Sequence, residues 1–292
     1  MMILDFHGIN GIYGRKILDK FMKNIIILGH RGMLGNYVYT YLKSKDHNIF
    51  TYDKTNLDAE FFDETYFKKE ILNKNIHVVI NCIGLIKPQV DKCGAISATK
   101  INSIFPRQLS DLCESNNIKF IHITTDCVYS GTKGKYIESD THDAIDIYGK
   151  TKSLGEPHNA TVIRTSIIGE EKYNKRSLVE WIKSNKGKTI NGFENHIWNG
   201  VTCLQLSKTI EKIISQDLFW NGVKHIYSNE INKHELLSIV NEIYDLDITI
   251  NKINASNLCN RSLSSIYKNE FDIPPLYEQI KEMKNYSLIF LQ

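Results

Sequence analysis

Tyr148 and Lys152 stand four residues apart in "IYGKTKSLGE" (147–156). On a helix that spacing puts both side chains on one face, one turn apart. An ammonium beside a phenol lowers the phenol's pKa from about 10, so a tyrosine held this way serves as an acid near neutral pH. The same Tyr-x-x-x-Lys spacing recurs at Tyr39/Lys43, Tyr41/Lys45, Tyr129/Lys133 and Tyr277/Lys281, so spacing alone does not choose. Position does. Tyr148 comes one loop after the apolar run "IKFIHITT" (118–125), which ends in Thr124 and Thr125, and open α/β sheets bind ligands beyond the carboxyl ends of their strands. Tyr129 sits four residues past Thr125, in a glycine-containing loop with no helical pattern. Thr125, Tyr148 and Lys152 are the candidate catalytic residues.

A second constellation is a Gly-x-x-Gly-x-x-Gly spacing, present at Gly8, Gly11 and Gly14 and again at Gly29, Gly32 and Gly35. Such a loop cradles a pyrophosphate when a strand precedes it, a helix follows it and a charged residue ends the second strand. The later copy meets all three conditions. "NIIIL" (24–28) precedes it, "MLGNYVYTYLKSK" (33–45) follows, and "NIFTYD" (48–53) brings Asp53 and then Lys54, with Asp53 24 residues after Gly29. The earlier copy fails, because only nine residues separate Gly14 from Asn24 and a parallel crossover needs roughly a dozen. Residues 1–21 are therefore expected to be an N-terminal extension, with Met22 a candidate natural start.

These residues need elements to hold them. Strands are expected at 24–28, 48–53, 77–82, 118–125 and 160–166, with helices at 33–45, 64–75, within 94–116 and at 147–156. Repeated β-then-α order with near-continuous apolar strands predicts an α/β fold: a Rossmann-type, doubly wound parallel sheet over 22–167. The pattern loosens afterwards, predicting a smaller C-terminal α/β substrate domain over 168–292, some of whose segments return to the first. Its helices are expected at 176–186, 203–215, 232–244 and 275–284, and its short strands at 224–228 and 247–251. Asn232 followed by Glu235 is a capping-box signal.

Composition excludes several classes. A formal charge of +3 is too mild for a nucleic-acid binder. The six cysteines form no C-x-x-C pair and join no histidines at zinc-site spacing, so no metal site is expected. No stretch approaches the ~20 apolar residues of a membrane span. A reducing, cytoplasmic setting with free thiols is expected.

The blocks "GHRGMLG" (29–35), "INCIG" (80–84), "INSIFPRQLSDLC" (101–113), "HITTDCVYSG" (122–131), "YGKTKSLGE" (148–156), "IRTSIIG" (163–169) and "NRSLSS" (260–265) resemble the extended short-chain dehydrogenases/reductases, and within them the dTDP-4-dehydrorhamnose reductase group. The resemblance runs from about Met22 to the last helix. The glycine loop is also similar to that of GDP-fucose synthase, an epimerase-reductase. The resemblance implies reduction of a 4-keto group on a nucleotide-linked 6-deoxy sugar, with Tyr148 protonating O4, Lys152 binding the nicotinamide ribose and tuning Tyr148, and Thr125 holding the keto oxygen. It implies a cofactor site of Gly29, Arg31, Gly32, Met33, Leu34, Gly35, Asp53, Lys54, Cys82 and Gly84 with Tyr148 and Lys152. Asp53 favours NADH through a free ribose 2′-OH; Arg31 favours NADPH by forking onto a 2′-phosphate. NADPH is the expected cofactor, NADH the alternative.

Cys127 stands where related dehydratases carry Glu, which argues against dehydration. A thiolate there removes a proton made acidic by the C4 ketone, so Cys127 is a candidate epimerisation base; the alternative is a small buried hydrophobe. Lys175 is the candidate opposing acid. Arg261 matches an arginine near the diphosphate in the family, and Asn195 and Trp198 are candidates for the sugar or base pocket, with core packing the alternative for Trp198. The "INCIG" and "RTSIIG" blocks resemble a subgroup that makes N-acetylated 6-deoxy-L-hexosamines, and that resemblance implies UDP-N-acetyl-L-rhamnosamine as product from UDP-2-acetamido-2,6-dideoxy-4-hexulose; dTDP-L-rhamnose is the alternative. A third possibility is a non-catalytic NADP-binding subunit, as in methionine adenosyltransferase, which resembles the same group. Extended members often dimerise through the helices after the third and fourth strands, so a homodimer is expected.

Overall fold

Ile25 and Ile27 pack into one hydrophobic cluster, Ile26 and Leu28 into another; Val78 and Ile80 join the first, Val79 the second. Alternate residues of a strand point to opposite faces, so these apolar runs must be covered on both sides. The computed structural model describes residues 22–268 and 271–290; the Gly8–Gly11–Gly14 triplet and the rest of the expected extension lie outside the described residues.

The first half follows strict alternation: β1 (Asn24–Leu28), α1 (Met33–Lys43), β2 (Asn48–Tyr52), α2 (Glu64–Asn73), β3 (Val78–Asn81), α3 (Lys87–Thr99), a π-helical turn (Lys100–Ile104), α4 (Phe105–Ser115), β4 (Lys119–Thr125), α5 (Ile147–Leu154) and β5 (Thr161–Thr165). The second half adds β6 (Ile167–Ile168), α6 (Leu178–Lys183), β7 (Thr189–Phe193), β8 (His196–Trp198), β9 (Val201–Thr202), α7 (Cys203–Ser215), β10 (Gly222–His225), β11 (Ile231–Asn232), α8 (Lys233–Tyr244), β12 (Thr249–Ile253), β13 (Cys259–Asn260) and α9 (Leu276–Phe290).

The main sheet has six strands in the order β10-β5-β4-β3-β1-β2, all parallel. It is the Rossmann-like, doubly wound sheet expected. The strand order reverses between β1 and β3, which makes their carboxyl ends the place for a ligand. Residues Leu34, Tyr37 and Val38 of α1 and Leu204, Leu206 and Ile210 of α7 cover one face; Phe67 of α2 and Phe105 and Leu109 of α4 cover the other.

Two expectations are corrected. The helical run placed within 94–116 begins earlier, at Lys87, with Pro88 in its first turn; proline there is a start signal. It breaks at Gly94, whose φ is +82°, and resumes through the π-helical turn. The strand expected at 247–251 is β12, two residues later, because it pairs with β7, which the sequence pattern did not reveal. By contrast, Asn232 and Glu235 make the predicted capping box of α8.

Arg164 on β5 is 1% exposed. Its guanidinium donates to Glu156 at 3.0 and 2.6 Å and to the Tyr129 hydroxyl at 2.6 Å, and also meets His142 at 2.7 Å and His225 at 2.8 Å. One side chain thus joins the segments after β4, after α5 and at β10.

Candidate active site

The glycine loop is shaped by contact. Gly29 has φ +82°, and a Cβ on Gly35 would lie 2.1 Å from the Gly29 carbonyl oxygen, so α1 approaches the loop as only glycine permits. Gly32 is the N-cap of α1 and supplies no side-chain cap, which leaves the first-turn N–H groups aimed outward as anion donors. They face an open cleft of about 450 Å³ lined by Gly32, Met33 and Leu34, by Cys82 and Gly84 after β3, by Thr124 to Cys127 after β4, and by Tyr148 and Lys152 on α5. The volume suits a small-molecule site. Segment 165–178 forms the opposite wall, including Ser166, Asn174 and Arg176.

Arg31, Asp53 and Lys54 are not among the residues lining this cleft; the Arg31 guanidinium lies 3.6 Å from the Asp53 carboxylate. Thr55 holds that carboxyl below its usual range by hydrogen bonding, with Arg31 adding to the effect. Lys54 instead pairs with Asp58 at 3.5 Å.

Asp146 caps α5 by accepting from the Gly149 amide at 2.8 Å. A Cβ on Gly149 would lie 2.3 Å from the Cys127 carbonyl oxygen, so this glycine lets α5 seat against the end of β4. The result brings Tyr148 and Lys152 beside Thr125. The lowering of the phenol expected from Lys152 is not what the site shows. Burial pushes the Tyr148 phenol up, the neighbouring Cys127 adds to this, and the Thr125 hydroxyl opposes it. Lys152 directs its ammonium to the Ile123 carbonyl at 3.0 Å. Its own burial brings it down to about 8, while Glu156 and Cys82 pull the other way. Of the other Tyr-x-x-x-Lys pairs, Tyr39 and Lys43 meet on the surface of α1 at 3.3 Å, and Tyr129 is buried against Arg164.

Cys127 lines the cleft, its thiol 3.5 Å from the Asp126 carboxylate. Burial, reinforced by Asp126, pushes the thiol up to about 12, so it rests protonated rather than as the expected thiolate base. Lys175 is not among the lining residues, although its neighbours Asn174 and Arg176 are. Asn195 is turned away, donating to the Ala255 carbonyl at 2.8 Å and accepting from its amide at 2.9 Å. Trp198 is 6% exposed in the main core, its indole N–H donating to Ser166 at 2.7 Å. It backs the cleft wall without lining it. Arg261 donates to the Tyr129 carbonyl at 2.8 Å and adds its charge beside Asp126 and Cys127.

Sequence reasoning passed over two residues. Asp126 follows Thr125 directly and is a buried carboxyl on the cleft; the run Thr-Asp itself was the signal. Asn102, in the π-helical turn, accepts from the Leu85 amide at 2.8 Å and donates to the Leu85 carbonyl at 3.1 Å and to Thr151 at 3.3 Å. It ties the Gly84–Leu85 wall to α5. Such turns recur at functional sites, but no residue pattern marks them.

Among the described residues, no helix is long and apolar enough to cross a membrane. The chain is 25% identical over 247 residues to methionine adenosyltransferase 2 subunit beta of Xenopus laevis, covering 77% of this chain and 73% of that one. It is 26% identical over 149 residues to the dTDP-4-keto-6-deoxy-D-glucose reductase of Streptomyces niveus and 30% over 164 residues to the dTDP-4-dehydrorhamnose reductase of Mycolicibacterium smegmatis. These two matches cover 48% and 53% of this chain and only about half the length of each relative, 51% and 48%. In solved structures, the dTDP-4-dehydrorhamnose reductase of Bacillus anthracis in complex with NADP superposes with a TM-score of 0.77 at 20% identity, covering 91% of this chain and 99% of that one. The sequence profile of the RmlD substrate binding domain matches residues 22–245, and the chain belongs to that family.

Proposed function

We propose that the protein is an NADPH-dependent reductase of a nucleotide-linked 4-keto-6-deoxy sugar. The observation that carries this is the convergence of Thr125, Tyr148 and Lys152 on the cleft into which the uncapped first turn of α1 opens. The residues present fit a dinucleotide: the Gly29–Gly35 contact leaves the phosphate cradle free of side chains, and the exposed Arg31, next to Gly32 of the cleft, is available to a 2′-phosphate. A bound nicotinamide supplies the hydride. The chain's residues do the rest. Tyr148 gives a proton to the developing alkoxide, its raised pKa keeping that proton in place until then. Lys152 lies beside the space left open at Gly84, 3.6 Å from where a Cβ would stand, and orients what binds there.

The relatives named for dTDP-linked sugars support a dTDP-4-keto substrate. The finer reading is a bifunctional 3-epimerase and 4-reductase making UDP-N-acetyl-L-rhamnosamine; Cys127 at the cleft supports its epimerase half, and the resemblance of the "INCIG" (80–84) and "RTSIIG" (164–169) blocks supports its sugar. With its thiol protonated, Cys127 is placed to return a proton; removing one first requires transfer of its own. Deuterium wash-in at C3 or C5 that persists in Cys127→Ser would remove it from that role. A homodimer is proposed through the helices after β3 and β4, the α3–α4 run and α5, along which Ile96, Ile104, Ile147 and Leu154 are exposed; light scattering measures it.

A second reading follows from the methionine adenosyltransferase subunits, whose match covers more of this chain than the two reductases do. A non-catalytic NADP-binding partner would bind NADPH and consume none. NADPH oxidation against a panel of dehydratase-generated dTDP- and UDP-4-keto sugars, with NMR of the product, decides between the two.

A further inference from the structure

Reducing a ketone to an alcohol takes up one proton per turnover, so the acid that gives it must be refilled. The Lys152 ammonium is engaged with the Ile123 carbonyl, whereas another route is built at the end of β4. Asp126 is 5% exposed and lines the cleft. Its Oδ1 accepts from the Thr125 hydroxyl at 3.1 Å and from the Cys127 thiol at 3.5 Å. No cation among the described residues lies within ion-pair distance of it. The charges that face it are Arg261, after β13, and Lys233, at the start of α8; both draw its pKa down, while burial, the larger influence, raises it.

A threonine hydroxyl has one hydrogen and two lone pairs. The Cys127 amide donates to the Thr125 oxygen at 3.1 Å and fixes its position. Asp126 lies 3.1 Å from this hydroxyl, and the pKa of the Tyr148 phenol, which lines the same cleft, is drawn down by it. When Asp126 is protonated it donates to Thr125, whose own hydrogen is then free to turn toward Tyr148.

We propose that Asp126 is the proton-relay residue of this site, returning a proton to Tyr148 through the Thr125 hydroxyl after each reduction. The proposal rests on the reductase reading. The Tyr148 O–H breaks as the product O–H forms; the Thr125 O–H breaks as the phenol O–H is restored; the Asp126 O–H breaks as the Thr125 O–H is restored. The carboxylate then takes a proton from hydronium or a buffer acid in solvent. No atom changes oxidation state in these steps.

Rapid mixing of NADPH-loaded enzyme with a 4-keto sugar nucleotide tests the relay. Asp126→Asn is expected to oxidise one NADPH per site in a burst, then turn over about tenfold or more slowly than wild type. Thr125→Ser keeps the hydroxyl and is expected to keep both the burst and steady turnover. In Asp126→Asn, burst and steady phases slowed together, or unchanged steady turnover, overturn the relay. A second measurement needs neither substrate nor cofactor. Infrared difference spectra over a pH titration are expected to show a carboxylic-acid band, absent in Asp126→Asn, that titrates above the ordinary carboxylate range and shifts in Thr125→Val. A band titrating in the ordinary range, or unmoved by Thr125→Val, overturns the relay. No NADPH oxidation by wild type with any 4-keto sugar overturns the reductase reading instead, and the infrared result still decides whether Asp126 is the acid.

Discussion

Arg31 is two-thirds exposed and meets Asp53 across 3.6 Å, so its bond to the protein is weak and its guanidinium is available to a ligand. Removing it leaves Asp53 alone to repel a 2′-phosphate. Arg31→Ala is expected to lower kcat/KM for NADPH about tenfold or more, the worth of one hydrogen bond to a charged group, and to leave NADH unaffected; steady-state kinetics with both cofactors check this. Lys152 carries a pH signature. Its pKa is about 8 in the folded chain against an ordinary 10.5, so between these values the unfolded chain holds the proton that the folded chain has lost. Its contribution to stability therefore rises as pH rises through that window and is least favourable below about 8. Activity that needs the ammonium runs the other way, falling above about pH 8 in the free enzyme's kcat/KM profile.

At the scale of elements, the nucleotide loop depends on α1 lying almost against Gly29. Gly35→Ala places a methyl 2.1 Å from that carbonyl, and is expected to cost about 1–3 kcal/mol of stability and to abolish NADPH binding, seen by thermal unfolding and by fluorescence titration. Asn102→Ala strips the Leu85 backbone of two buried partners; a loss of about 1–3 kcal/mol is expected in urea unfolding. The sequence made the loop legible because glycine spacing, strand period and crossover length all agree there. It also placed β1 to β5 within a residue or two of their observed ends, since strands buried on both faces are unbroken apolar runs. The π-helical turn stayed hidden, because its hydrogen-bond shift has no residue signature, and so did β7 and β8: the buried positions of β7 are Ile190 and Gly192, only one of them an apolar side chain, and β8 is three residues long.

At the scale of the whole molecule, Arg164 ties together Tyr129, His142, Glu156 and His225. Arg164→Ala leaves Glu156 buried without its ion-pair partner and is expected to cost about 3–5 kcal/mol, measured by urea unfolding. The candidate site was legible where placement follows directly from chain position: Thr125, Tyr148 and Lys152 line one cleft. It was not legible at Asn195 and Trp198. Their chemistry suits a sugar pocket, but which way each side chain turns is fixed by the Ala255 segment and by Ser166, which are distant in sequence.

The edge position of β10 also dictates an order of events during synthesis. β5 ends at Thr165, yet its parallel partner does not begin until Gly222. A growing chain therefore leaves the ribosome with the outer edge of β5 unpaired until nearly sixty more residues have emerged, and an open edge is a template for wrong pairing. A nascent chain stopped short of β10 is the form of this protein most in need of a chaperone.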